Sequence, residues 1–274
     1  MKPLIPAIAA AALGTWALLE NTALLTVSQY QIAVPGLPRL VQISDLHRRQ
    51  FGRGQQRLIR TVAELKPELI VITGDLISRT VTDYRDTARL LKRLRALAPI
   101  LMVYGNHELD LSPVHETEYR AMLARCGVRL LENESIRYGA VTFAGLTLTG
   151  AHYCGGGRFG SRPERPCTAE EITEALGAAA ENTVLLAHNP LYFPAYAQWG
   201  ARLTLAGHVH GGIVRLPLLG GILSPERRFF PRYDKGLFRE NGAETDAEMV
   251  VCGGLGKLRL FNPPQVCLIT EAAE

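Results

Sequence analysis

The sequence predicts an α/β fold, a two-sheet αββα sandwich preceded by an N-terminal hydrophobic segment. Buried apolar strands alternate with leucine-rich helical stretches through the first half, the pattern of βαβ units around a largely parallel sheet. The second half holds shorter β segments, enough for a second sheet. Apolar residues make up 47% and charged residues 20% of the 274 positions, so a full core can be buried and a disordered chain is excluded. No repeat or low-complexity stretch divides the chain, and one domain is expected over residues 39–272.

Leu4 to Leu19 is a run of sixteen residues without a charge. A spanning helix needs about 20 apolar residues, and a secretory core about 7–15 after a positive start. The run reaches the longer length only by passing Glu20 and Asn21 to Leu25. Residues 1–27 therefore read as a signal anchor or a signal peptide. No clean small-x-small cleavage site is visible, which favours the anchor. A core helix would carry polar residues on one face, and this run does not. Lys2 places the N-terminus inside and the domain on the extracytoplasmic side. Residues 28–38, ending in Val34-Pro35-Gly36-Leu37-Pro38, read as a linker.

The elements then follow in order. Strands are expected at 39–44, 68–73 and 100–104, and helices at 55–65, 83–98 and 114–126, with Pro67 and Pro99 ending the first two helices. Short strands come next at 128–131, 136–138, 140–143 and 146–149, then at 183–187 and 203–206. Further β signals lie near 213–215, 234–239, 248–252 and 265–270. The formal net charge of +4 comes without a basic run, so no specific nucleic-acid partner is expected. Five cysteines without a CxxC pair exclude a disulfide scaffold and a zinc ribbon.

The informative feature is the set of residues just beyond the strands. Asp45-Leu46-His47, Gly74-Asp75, Gly105-Asn106-His107-Glu108, His188 and Gly207-His208-Val209-His210 each stand at a strand's C-terminal end. Parallel strands bring those ends to one edge, where α/β sheets hold ligands. A lone histidine at a strand end is usually structural, but five such clusters are not a coincidence of composition. Carboxylate, imidazole and one amide suit divalent Mn, Fe, Zn, Co or Ni, and the lack of thiolate argues against structural zinc. Asp45, His47, Asp75, Asn106, His188, His208 and His210 are too many for one ion. With Asp75 shared they divide between two ions about 3.5–4 Å apart, where a water held between cations ionises near neutral pH and becomes the nucleophile.

In their order and spacing, D-x-H (Asp45, His47), G-D (Gly74, Asp75), G-N-H-E (Gly105 to Glu108), the lone His188 and G-H-x-H (Gly207 to His210) resemble the calcineurin-like metallophosphoesterases. The likeness covers about residues 39–270. It implies that Asp45, His47, Asp75 and His210 hold one ion, and Asp75, Asn106, His188 and His208 the other. It gives His107 a catalytic role over the phosphate, protonating the leaving oxygen or stabilising charge. Many members carry a second acidic residue where this chain has Ser78. A narrower likeness rests on Pro35-Gly36-Leu37-Pro38, Leu131-Glu132-Asn133-Glu134 and His210-Gly211-Gly212 running into Arg215 to Gly220. It points to a bacterial branch of membrane-anchored or exported phosphodiesterases that includes hydrolases of UDP-diacylglucosamine.

The expected function is therefore metal-dependent hydrolysis of phosphodiester or pyrophosphate bonds. The alternatives are a UDP-2,3-diacylglucosamine-type pyrophosphatase, whose substrate is lipid-linked, and a catalytically silent scaffold. The scaffold is disfavoured because all seven ligands and His107 are present. Three peripheral readings remain. The glycine-rich loop 152–168 carries Arg158, Arg162 and Arg165, which either hold a substrate phosphate or lie in solvent. Cys154 and Cys167 flank this loop and could pair in an oxidising compartment. The stretch Leu216 to Leu223 with Arg227, Arg228, Phe229, Phe230 and Arg232 suits either a membrane interface or a packed hairpin. His115, His152 and Asp110 are expected to be ordinary helix-face or loop residues, although Asp110 stands close enough to His107 in sequence to orient it.

Overall fold

A computed structural model describes residues 4–153, 163–240 and 246–273. Its elements run α1 (Leu4–Thr22), β1 (Thr26–Ile32), β2 (Leu40–Ile43), α2 (Gln56–Glu64), β3 (Leu69–Thr73), α3 (Arg85–Arg95), β4 (Ile100–Val103), α4 (Asn106–Leu109), α5 (Pro113–Arg125), β5 (Val128–Leu130), β6 (Glu134–Tyr138), β7 (Val141–Leu146), α6 (Ala169–Leu176), β8 (Thr183–Ala187), α7 (Phe193–Trp199), β9 (Leu203–Ala206), β10 (Arg215–Leu216), β11 (Gly220–Gly221), β12 (Gly236–Glu240), β13 (Ala247–Val251) and β14 (Gln265–Glu271). One six-stranded sheet has the order β1-β14-β2-β3-β4-β5 and the other β12-β13-β9-β8-β7-β6.

Alternation along the strands sorts the side chains into three apolar layers. In β3, Leu69 and Val71 face the space between the sheets, while Ile70 and Ile72 face α2, α3 and α5. In β8, Val184 and Leu186 meet that inner layer, while Leu185 and Ala187 pack with Phe193 and Tyr196 of α7 and Ile172 of α6. The result is the expected order of helix, sheet, sheet, helix. β2, β3 and β4 are mutually parallel, as are β7, β8, β9 and β13. Strands buried on both faces explain the near-continuous apolar runs in the sequence.

Three expectations are corrected. Residues 26–32, read as the end of an anchor and the start of a linker, form edge strand β1, paired in parallel with β14 from Thr26↔Gln265 to Ile32↔Glu271. The strands expected at 140–143 and 146–149 are one strand, β7. Gly145 in its middle is no break: a side chain there would collide with Leu131, which packs against its bare backbone. Helices α6 and α7 were not anticipated, although Thr168 and Glu171 form a capping box that opens α6.

The front of the chain carries a contact that the sequence did not announce. Among the described residues, no helix is long and apolar enough to cross a membrane. The end of α1 is folded onto the body. Glu20 is wholly buried, its carboxylate accepting from the backbone N–H groups of Phe261 and Asn262. Asn21 exchanges hydrogen bonds with the backbone of Arg259, 2.8 Å to its oxygen and 3.1 Å from its nitrogen. Trp16 stacks on Phe261. Removing the Glu20 carboxylate strands two amides, at a cost of about 1–3 kcal/mol each. Glu20→Ala is therefore expected to lower Tm by roughly 3–10 °C, read by differential scanning calorimetry. An unchanged Tm would show that α1 is not docked.

Candidate metal centre

The ends of β2, β3, β4, β8 and β9 converge. Five of the residues beyond them, Asp45, His47, Asp75, His208 and His210, have positive φ between 51° and 70°. Such backbone is uncommon for non-glycine residues and collects at functional sites, where surrounding structure must impose it. Space is tight as well. A Cβ on Gly74, whose φ is 86°, would lie 2.6 Å from both the Gly105 nitrogen and His188 Nδ1. Only glycine lets β3 turn this close to its neighbours.

Asp75 stands at the middle. Its Oδ2 lies 3.5 Å from His188 Nε2, 3.8 Å from His107 Nε2 and 3.9 Å from His47 Nε2. Its Oδ1 accepts from the His107 backbone N–H at 2.8 Å. Asp45 Oδ1 lies 3.3 Å from His210 Nε2 and 3.9 Å from His188 Nε2. The Nε2 atoms of His47 and His210 face each other at 3.2 Å. Asp45, His47 and His210 form one group able to hold a cation, and Asp45, Asp75 and His188 another.

Orphaned polar atoms show that this donor set fits divalent ions. Asn106 Oδ1 and His188 Nε2 are buried without a hydrogen-bond partner. Such atoms are costly to bury unless something else satisfies them. His188 Nδ1 donates to the Thr73 carbonyl at 2.6 Å, which turns Nε2 towards the two carboxylates. Burial would raise the carboxyl pKa of Asp45 and of Asp75. The surrounding imidazoles, led by His210 for Asp45 and His188 for Asp75, hold both well below the usual carboxylate range instead.

Burial would also lower His188, but Asp75, Asp45 and the Thr73 carbonyl push it up to about 10. In the absence of cations this imidazolium stabilises the fold fully below about 6.5, and the contribution is lost as pH rises through about 10. Cation binding has the opposite trend, because the proton must leave Nε2 first. Affinity is expected to rise between pH 6.5 and 9, with roughly one proton released per chain from this imidazole near neutral pH. Calorimetry in buffers of different ionisation enthalpy reads this directly, and binding without proton release would contradict it.

His208 takes a different position. Its ring lies 5.0 Å from that of His188, but its Nε2 is 2.7 Å from Glu226 Oε1. A carboxylate on one ring nitrogen is the usual support of a ligating histidine, but among the described residues His208 falls in none of the groups whose donor atoms lie close enough together to share an ion. Glu226 was not legible in the sequence, because it comes from the distant stretch between β11 and β12. Tyr153 was missed too. Its ring lies 5.1 Å from His208 and its hydroxyl is buried without a partner. Glu108, noted only as part of a motif, is wholly buried and accepts from the amides of Asp75, Gly105 and Ile77. It fixes the Asp75 and Gly105 turns against each other. Burial and the nearby Asp75 push its carboxyl up to about 7.

His107 remains partly open, with a side-chain exposure of 24%. Its Nδ1 accepts from the Arg79 backbone N–H at 3.3 Å. That donor leaves the ring proton on Nε2, the nitrogen nearer Asp75. Burial lowers the His107 pKa, with Asp75 opposing and Arg79 adding to the effect, so the neutral ring is favoured. Asp110 does not orient it: its carboxylate pairs with Arg79 at 3.0 Å.

The remaining sequence readings separate. Arg165 pairs with Glu171 of α6 and is not turned to the metal centre. Arg158, Arg162 and Cys154 lie outside the described residues. Cys167 is buried and free. His115 is a surface residue of α5 near Glu118. His152, Cys167 and Glu171 also group closely. There the Thr149 amide donates to His152 Nδ1, so Nε2 carries the proton and offers no lone pair.

The family model for calcineurin-like phosphoesterases matches residues 38–212. Among curated relatives, the uncharacterized metallophosphoesterase YkuE of Bacillus subtilis is 26% identical over 240 residues, covering 85% of this chain and 78% of its own. Phosphodiesterase YaeI of Escherichia coli is 27% identical over 236 residues, covering 84% and 81%. A Bos taurus transmembrane protein with a metallophosphoesterase domain is 27% identical, covering 82% of this chain and 53% of its own. The crystal structure of TT1561 from Thermus thermophilus superposes with a TM-score of 0.50 over 80% of this chain and 90% of that one, at 16% identity, and so shares the fold. With the family model spanning well over half its length, this chain belongs to the calcineurin-like phosphoesterase family.

Proposed function

We propose that the chain hydrolyses phosphodiester or pyrophosphate bonds with two divalent cations bound between the strand ends. The observation that carries this reading is the placement of Asp75, whose Oδ2 lies within 3.9 Å of three imidazole nitrogens. Cations bound there would supply positive charge for the phosphoryl oxygens and an activated water. Asp45, His47, Asp75 and His210 would hold one, and Asp75, Asn106, His188 and His208 the other. Asp75 and Asp45 fix the imidazoles around them, and Glu226 fixes the His208 ring. His107, neutral and protonated on Nε2, would donate a hydrogen bond to the departing oxygen and stabilise the negative charge that develops there. The Arg79 amide holds it in that tautomer. The likeness to YaeI supports a diester over a monoester.

The reading is tested by assaying Mn-loaded protein against bis-p-nitrophenyl phosphate, p-nitrophenyl phosphate and UDP-diacylglucosamine. Diester turnover well above monoester turnover is expected. Turnover of the nucleotide-linked lipid alone would choose the pyrophosphatase instead, and no turnover of any would leave the scaffold.

A further inference from the structure

Twelve of the fourteen large apolar side chains exposed among the described residues lie on three neighbouring segments. They are α1, the hairpin region 213–230 around β10 and β11, and the turn 257–261. The segments are joined physically. Trp16 of α1 stacks on Phe261 at 6.3 Å. The Arg215 amide donates to the Leu260 carbonyl at 3.0 Å, and the Leu260 amide to the Ile213 carbonyl at 2.9 Å. Leu218 at the hairpin tip is fully exposed, with Leu219 at 62% and Phe230 at 62% beside it. Single exposed apolar side chains are ordinary on a protein surface, but a continuous face of them marks an interaction site.

Charge on these segments is sorted by direction. Residues 4–22, 213–234 and 255–262 hold three carboxylates, Glu20, Glu226 and Asp234. All three point inwards: Glu20 to the Phe261 and Asn262 amides, Glu226 to His208, and Asp234 to Arg215 and the Gly221 amide. Arg227 and Lys257 are exposed, and Arg232 is exposed but pairs with Glu240 at 3.7 Å. The outward face is thus apolar and cationic.

We propose that this face seats the protein on an anionic lipid bilayer, with the 216–219 tip inserted among the headgroups. Apolar side chains that enter the acyl boundary, rimmed by Arg and Lys at headgroup level, are the chemistry such a surface recognises. A second copy on this face would set cations against cations. The inference rests on fold and surface and is independent of the reaction. It places the bilayer beside the metal centre, because Glu226 of the same hairpin region holds His208.

The test is cosedimentation of the full chain with phosphatidylcholine vesicles and with mixed phosphatidylcholine–phosphatidylglycerol vesicles. Wild type is expected to partition onto the mixed vesicles more strongly than onto the neutral ones. Leu218→Ser with Leu219→Ser should weaken partition onto both by about tenfold or more. Arg227→Glu with Lys257→Glu should weaken partition onto the mixed vesicles alone, also by about tenfold. Both variants should keep the wild-type circular dichroism spectrum and thermal transition, which reports an intact fold. Wild type that stays in the supernatant, equal partition onto both vesicle types, or partition unchanged in both variants would overturn the proposal. A concentration-dependent dimer, formed without vesicles and abolished by the serine variant, would assign the face to a second copy and overturn it equally.

Discussion

Asp75→Asn is expected to lower kcat/KM by about 10³-fold or more, since metal clamping of this kind supplies several kcal/mol of transition-state stabilisation. The substitution keeps the shape of the side chain. Its oxygen can still accept from the His107 amide, so the turn after β3 should hold. What is lost is the negative charge facing His188, His107 and His47. Metal content should fall with activity while circular dichroism changes little. A variant that kept full metal content and near-normal turnover would remove Asp75 from its shared position.

His107→Ala separates stabilisation of the leaving oxygen from metal binding. It should cost about 10²–10³-fold in kcat, the usual contribution of a positioned hydrogen-bond donor at developing charge, with metal content unchanged. The loss should also depend on the leaving group. A p-nitrophenolate departs readily without a proton, whereas an alkoxide does not, so alkyl esters should suffer more than p-nitrophenyl esters. Equal losses on both, or loss of metal, would show that His107 acts elsewhere than on the departing oxygen.

Much of this site was legible in the sequence because its residues stand in fixed relation to strands. An apolar run such as Leu69 to Thr73 can only be buried, and the next residues must turn out at the sheet edge, so Gly74-Asp75 announced itself. The same holds for Asp45, Asn106, His188 and His208. Glu226 and Tyr153 gave no such signal. They reach the centre from irregular segments after β11 and after β7, and only tertiary packing sets their distance to His208. The arginine rim was a composition argument, and Arg165 went instead to a carboxylate, Glu171, a few residues away. The docking of the front of the chain gave no signal for a related reason. Hydropathy counts Glu20 as an interruption of an apolar run, but the fold uses it as a buried acceptor for the turn at Phe261 and Asn262. Strand β1 likewise looked like a connector, because its residues are only half-buried at the sheet edge.

The most direct measurement is the metal stoichiometry of the purified chain after reconstitution and removal of loosely bound ions, by elemental analysis. Two equivalents of a divalent transition ion per chain are predicted, falling in Asp75→Asn and unchanged in His107→Ala. A chain that binds none, while remaining folded, would contradict the account at its centre.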